Sequence, residues 1–374
     1  MGMRRRHNKV LVPESMITSG YTGEIYGNYV EDSGIANIYD DAMRENLGGT
    51  PIGYIRESAD GNDDQLCGYW AGDQLKFRKG KEEYQVEVYS LMQNIFSRNT
   101  GILESAIMIE KTAVILGCGS VGSLVALELC RAGVGNFLLM DNDVVEYHNL
   151  CRHQCNIYDV GKYKVNALKE RILAVNPAAD VAVWIGTVET APKEIFDEHC
   201  MEEKSIIIGC ADNRAADVYA NSIAVMYKIP FISVGFWERA FAGEIFYYLP
   251  NRNMPCYKCA LGDGGEFSNR VSTNRRIYTN EEDLEKVNFE PGISIDINFV
   301  TTVGIKLILD ILNMGNDKFT PRVLDSLKQY TLVCNTNKTE VGGDMAEIFS
   351  YPLQVTTSLE VSHGCNCPPC EYEG

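Results

Sequence analysis

Positive charge and long apolar runs are what this chain has least of. Its 34 lysines and arginines face 51 aspartates and glutamates, a formal net charge of −17. A phosphate backbone demands a basic footprint, so nucleic acid is not an expected partner. The acidic balance suits solubility, and equally a partner with a basic face. The most apolar helical stretch, 293–312, carries Asp296, Lys306 and Asp310, so it is not expected to span a membrane. Met1-Gly-Met-Arg-Arg-Arg-His is basic with no apolar run behind it, so a secretory leader is not expected. There is no internal repeat and no low-complexity tract. Cysteine, by contrast, is plentiful: 13 residues, odd in number and mostly irregular in spacing, the pattern of reduced thiols in a cytoplasmic protein.

A length of 374 residues allows one large α/β domain or two ordinary ones, and 45% hydrophobic content is enough to build a core. Residues 1–85 are rich in Gly, Asp, Asn and Tyr, with turn signals at Gly20-Tyr-Thr-Gly23, Gly48-Gly49 and Asp60-Gly-Asn-Asp-Asp64. They read as a small, turn-rich N-terminal extension of unknown role, either a module with strands or an irregular segment wrapped on the main body. A helix is expected within 86–104, with Val88, Leu91 and Ile95 on one face. Then strands at 112–117, 136–140, 181–185, 205–209 and 231–234 alternate with helices at 121–132, 162–175 and 215–227. Apolar strands between amphipathic helices predict an α/β, doubly wound, mostly parallel Rossmann-like sheet. A partly exposed strand is expected at 241–249, a functional crossing segment at 261–292, a helix at 293–313, and late strands at 330–334 and 347–354.

Gly117-x-Gly119-x-x-Gly122 ends a strand and opens a helix, the arrangement that lets backbone approach a phosphate at a helix N-terminus. Asp141 ends the next strand, where a carboxylate accepts ribose hydroxyls of either NAD or ATP; Asp143 is a second acceptor or a solvated turn residue. Asn149-Leu-Cys-Arg152 and Lys164 separate the two nucleotides. A nicotinamide enzyme needs no cation pair there, whereas attack on the α-phosphate of ATP builds charge that Arg and Lys can hold. Asp212 follows a buried strand and is placed either to hold Mg²⁺ between phosphates or to cap the next helix. Cys256-Tyr-Lys-Cys259 and Cys367-Pro-Pro-Cys370 each offer half of a tetrahedral Zn²⁺ site that ties the C-terminal segment to the body. Cys365 is an alternative ligand, and a redox pair or free thiols are the other readings. Arg98, in Ser97-Arg98-Asn99, is placed either to reach a partner subunit's phosphate site or simply to end a helix.

These residues, with the Asn176-Pro177 dipeptide, resemble the ubiquitin-activating superfamily, and within it the bacterial ThiF/MoeB-type adenylyltransferases. The resemblance runs from about residue 89 to the C-terminus, a ThiF-type adenylation domain over 86–374. It implies a homodimer that binds the flexible, usually Gly-Gly-ended tail of a ubiquitin-like or sulfur-carrier protein. That tail's carboxylate would attack the α-phosphate of Mg·ATP, giving an acyl-adenylate and pyrophosphate. By resemblance, Gly117, Gly119 and Gly122 cradle the nucleotide and Asp141 holds the ribose. Asn149, Arg152 and Lys164 hold phosphates, Asp212 binds Mg²⁺, and Arg98 is an arginine finger given across the dimer. Tyr89-Ser90 is followed by Leu91 here, which departs from the family's Tyr-Ser-Arg pattern. Residues 260–333 contain no cysteine, where many relatives keep an acceptor thiol. Either the reaction stops at the adenylate, or Cys151, Cys155, Cys210 or Cys365 takes over. Of the family's branches, the one encoded beside conjugating enzymes and peptidases in bacterial operons is preferred over sulfur-carrier activation. The alternatives are a peptide adenylyltransferase of the microcin type and an NAD-dependent oxidoreductase.

Overall fold

Alternation of inward apolar and outward polar residues builds strands such as Gln74–Lys79 in the N-terminal part of the chain. A computed structural model describes residues 7–58, 65–211, 213–261 and 291–363 of the chain. The chain divides into two units: Met1–Thr100 with Leu173–Ala178, and Gly101–Ile172 with Ala179–Gly374.

The first unit holds β1 (Lys9–Pro13), β2 (Gly23–Val30), β3 (Ile35–Ile38), β4 (Thr50–Arg56), β5 (Leu66–Ala71), β6 (Gln74–Lys79) and β7 (Glu82–Tyr89). They form a closed barrel in the order β1-β3-β2-β4-β5-β6-β7, and β1 completes it by pairing in parallel with both β3 and β7. Val10, Val12, Ile25, Ile38, Ile55, Leu66 and Phe77 fill the interior. A helical turn, Glu14–Thr18, follows β1, and a short helix, α1 (Asp41–Leu47), is capped by Asp40, whose Oδ1 accepts from Met43 N at 2.9 Å. The helix expected within 86–104 is therefore partly a strand. Glu82-Glu-Tyr-Gln-Val-Glu-Val-Tyr89 alternates with period two, and β1 pairs with it through Tyr89. Only the turn Leu91–Ile95 and the turn Ser105–Met108 are helical beyond it.

The second unit is built on β8 (Thr112–Leu116), α2 (Ser120–Arg131), β9 (Asn136–Met140), α3 (Lys164–Val175), β10 (Asp180–Trp184), β11 (Ser205–Gly209), α4 (Arg214–Tyr227), β12 (Phe231–Phe236), β13 (Ala242–Tyr248), α5 (Ser294–Leu312), β14 (Tyr330–Cys334) and β15 (Val355–Leu359). The sheet runs β10-β9-β8-β11-β12-β13-β14-β15. It is parallel from β10 to β12 and antiparallel from β12 to β15. Helices cover both faces. Val300 of α5 lies against Gly243, while the next residue, Glu244, points to Arg214 of α4 on the opposite face. This is the doubly wound Rossmann-like arrangement expected.

Three details differ from the sequence reading. The strand at β13 is buried at every position, because β12 and β14 flank it and helices cover it. The late strand expected at 347–354 lies further on, at β15, and Gly343–Ile348 is a 3-10 turn. Helices Lys193–His199 and Tyr257–Leu261 were not foreseen. The charge on α5 that argued against a membrane span has a structural use: Asp310 is buried, and its Oδ2 accepts from the backbone N–H of Arg322, Val323 and Leu324 at 2.8, 2.7 and 2.9 Å. Among the described residues no helix is long and apolar enough to cross a membrane. Most of the crossing segment expected at 261–292 lies outside the described residues.

Candidate functional site

The chain leaves β8 toward β9 on one side, while β11 pairs on the other, so the C-terminal ends of β8 and β11 form a topological switch point. The glycine loop lies there. Gly117 has φ +87, and a side chain on it would put Cβ 2.8 Å from the backbone N of Ala211, just past β11. Gly122 is packed so closely that its Cβ would stand 1.9 Å from the carbonyl oxygen of Gly117. Gly119 precedes α2, and nothing lies within 4 Å of where its Cβ would point. The loop therefore binds itself tightly at both ends and opens outward in the middle, at the N-terminus of a helix, where anions are favoured.

A residue the sequence reading overlooked fastens this loop. His153 is buried; its Nδ1 accepts from Cys155 N at 3.0 Å, which leaves Nε2–H to donate to the Cys118 carbonyl at 2.6 Å. Burial holds the imidazole below its ordinary pKa, in keeping with that neutral tautomer. The signal available in the sequence was its place beside the Asn149-x-x-Arg152 motif. On the other side, Cys118 N donates to Asp141 Oδ2 at 2.7 Å, and Asp143 N donates to Asp141 Oδ1 at 2.8 Å. Asp141 thus joins the loop to the end of β9. Each oxygen keeps a further lone pair for a hydroxyl.

Lys164 and Asp143, expected to act separately, form one pair with Nζ 2.9 Å from Oδ2. The lysine side chain is only 11% exposed and the aspartate 66%, so the ammonium is held inward by a carboxylate at the surface. Lys164 is thus joined to the loop through two carboxylates: it pairs with Asp143, whose N–H bonds Asp141, and Asp141 accepts from Cys118 N. Asn149 ends a short 3-10 turn, Tyr147–Asn149, as part of a capping box; its Oδ1 accepts from Glu146 N at 2.9 Å. Its carbonyl accepts from Arg152 N and His153 N, so Arg152 is half-buried in the turn that carries His153 to the loop.

Asp212 lies outside the described residues, as do Cys365, Cys367 and Cys370. The cap of α4 is Asn213, whose Oδ1 accepts from Ala215 N at 3.0 Å. Arg98 lies exposed in the first unit, in the turn after Leu91–Ile95. Cys256 and Cys259 are buried with sulfurs 3.7 Å apart. A zinc–thiolate tetrahedron with bonds of about 2.3 Å has edges of about 3.8 Å, so the pair fits two of its corners. Among the described residues no third ligand joins them. Burial pushes the Cys155 thiol up to about 12 and raises Cys210 too, leaving both as poor nucleophiles. Among the described acceptor candidates, Cys151 alone is exposed.

Comparison with known proteins bears on the family and the fold. The chain is 34% identical over 158 residues to the sulfur carrier protein ThiS adenylyltransferase of Bacillus subtilis, which is 41% of this chain and 44% of that protein. It is 29% identical over 159 residues to ubiquitin-like modifier-activating enzyme 5 of Caenorhabditis elegans, 40% of this chain and 37% of that protein. Both alignments take in less than half of the relative's own length. A crystal structure of E. coli MccB shares the fold, with a TM-score of 0.52 at 20% identity over 74% of this chain and 75% of that one. The ThiF family model matches residues 105–339, well over half of the sequence, and the chain belongs to that family.

Proposed function

We propose that this protein adenylylates the C-terminal carboxylate of a ubiquitin-like or sulfur-carrier protein, releasing pyrophosphate from ATP. The observation that carries the reading is a Lys164 ammonium tied through Asp143 and Asp141 to an outward-opening glycine loop. The loop's N–H groups and the α2 N-terminus bind phosphates, and Asp141 receives the ribose. The tail carboxylate oxygen bonds to the α-phosphorus as the bond to the pyrophosphate oxygen breaks. Lys164 and Arg152 take up the charge that gathers on the phosphates, and Asn149 helps hold them. Bound Mg²⁺ would supply further charge neutralisation at the leaving pyrophosphate, with Asp212 as its ligand. Zn²⁺ would be held by Cys256 and Cys259 with Cys367 and Cys370, as a structural tie for the C-terminal segment. The protein works as a homodimer in the cytoplasm, with Arg98 given to the partner's nucleotide, and it hands its product to a conjugating enzyme encoded nearby.

A peptide adenylyltransferase of the microcin type would share the same step. The absence of cysteine from 260–333 favours a reaction that stops at the acyl-adenylate in either case.

Mg²⁺-dependent ATP–pyrophosphate exchange against a panel of Gly-Gly-ended small proteins and short peptides tests the reading. Exchange is expected with one partner class only. Lys164→Met should lower it at least ~100-fold. The fold should tolerate this change, because the stranded Asp143 is 66% exposed to water. Full exchange in that variant sinks the assignment. For the metal, elemental analysis of the purified protein should find one zinc per chain, and Cys256→Ser should release it; zinc-free wild-type protein refutes the site.

A further inference from the structure

We infer that His153 is a positioning residue for the nucleotide: by holding the Cys118 carbonyl it turns the Gly119 N–H of the same peptide unit outward, as a phosphate donor. The inference rests on the adenylation reading and deepens it.

A peptide unit is planar and trans, so its C=O and N–H point in opposite directions. Cys118 and Gly119 share one such unit. Its carbonyl accepts from the buried His153 ring at 2.6 Å, so the Gly119 N–H points away from that ring. Gly119 is also the N-cap residue of α2, and no side chain caps that helix. Without the ring the unit could turn over, because glycine accepts either sign of φ. A carbonyl would then face the phosphates and repel them. The ring itself is held on its other edge, where Nδ1 accepts from Cys155 N at 3.0 Å. The residue between, Gln154, donates its N–H to Ser123 Oγ in the first turn of α2, at 3.3 Å. His153 N in turn donates to Asn149 O at 2.8 Å. One imidazole therefore fastens the glycine loop to the turn that carries Asn149 and Arg152.

The fastening needs a neutral ring. A proton on Nδ1 would set two N–H groups against each other, one from the ring and one from Cys155, and the ring would have to turn out of place. Lys164, at the start of α3, opposes that proton, while Asp141 past β9 and Asp159 before α3 favour it. Burial keeps the neighbouring Cys118 and Cys155 thiols uncharged. The balance, led by burial of the ring, leaves it titrating below its ordinary 6.5. Near pH 7.5 the ring is neutral and the loop is held. As pH falls below 6.5 the ring gains its proton, the Cys118 carbonyl is released, and nucleotide affinity drops. Were His153 merely packing, its replacement would lower stability and leave the pH dependence of binding unchanged.

The test compares wild type, His153→Leu and His153→Gln by calorimetric titration with Mg·ATP at pH 7.5 and pH 5.5, with melting followed by circular dichroism. At pH 7.5 His153→Leu should bind ATP ~10- to 100-fold more weakly, the worth of one hydrogen bond to a charged group. Glutamine carries both an amide donor and a carbonyl acceptor and does not titrate, so His153→Gln should stay within about threefold of wild type. Between pH 7.5 and pH 5.5 wild type should lose about threefold more affinity than His153→Gln; the titration of ATP itself is common to both. Unchanged ATP affinity in folded His153→Leu overturns the inference, whatever its melting point. Parallel pH profiles of wild type and His153→Gln overturn it too, and they decide the matter alone should His153→Leu fail to fold. Either result leaves the adenylation reading standing, since wild type still binds ATP. Wild type that binds no ATP at pH 7.5 removes the adenylation reading, and the inference with it.

Discussion

Gly122→Ala should abolish nucleotide binding and lower stability by ~3 kcal/mol, at the upper end of what forced overpacking costs. The added carbon would sit 1.9 Å from the Gly117 carbonyl oxygen, 3.0 Å from its carbon and 3.3 Å from Ile115 Cγ2. None of these can yield cheaply. Gly117 donates its N–H to Met140 O at 2.9 Å, and the next residue is held by Asp141 and His153. The helix would have to lift off β8, carrying the phosphate-binding N–H groups with it. Gly119→Ala provides the contrast. Its φ of −77 suits alanine and its Cβ meets nothing, so the fold should keep its melting point while the methyl group enters the ligand's space. ATP affinity by calorimetry and melting by circular dichroism give both readings. An ATP-binding Gly122→Ala protein of normal stability would mean that the loop is not closed as described.

The second large effect concerns pH. Asp217, on α4, is buried; its Oδ2 accepts from Ser233 Oγ at 2.6 Å, and its Oδ1 has no hydrogen-bond partner among the described residues. Burial raises the carboxyl from 3.8 to about 7; the Ser233 bond offsets part of this, and the Glu244 charge adds to it. The folded chain thus keeps a proton that the unfolded chain releases. Stability from this group is full below the unfolded value, falls as pH rises from about 4 to about 7, and is constant above. A shift of this size corresponds to about 4 kcal/mol. Asp217→Asn removes the titration, so denaturant unfolding at pH 5 and pH 8 should show wild type losing ~2.5 kcal/mol more than the variant between the two, the remainder having been lost below pH 5. Parallel stabilities at both values would show that the carboxyl titrates normally.

Much of the second unit was legible because its strands are buried on both faces. Ala113-Val-Ile-Leu116 and Ile206-Ile-Ile-Gly209 admit few other readings, and the glycine loop, Asp141 and Lys164 follow from local spacing. What escaped is non-local. His153 acts on Cys118, 35 residues earlier, and Glu244 meets Tyr330, 86 residues later; no spacing rule joins them. Asp143 was read as a ribose acceptor or a turn residue because nothing in the sequence said that its neighbour would be Lys164. The barrel is the clearest case. Its strands are short, turns interrupt them, and its closure depends on two segments from opposite ends of the unit. The turn signals were visible beforehand but the closed order of strands was not, and Leu91 and Ile95 drew the alternation of Val86 and Val88 into a helix that forms only over Leu91–Ile95.

That closure also dictates a timetable. During synthesis β1 leaves the ribosome first, yet one of its two neighbours, Gln85–Tyr89, leaves last. Until then Lys9–Pro13 can dock only along Ile35–Asn37, with the opposite edge open to any passing strand. Completion of the barrel is thus a late, long-range event, slow by the ordinary dependence of folding rate on sequence separation. A ribosome that stalls before residue 89 would expose an unpaired β1 edge, and with it a nascent chain prone to join its neighbours.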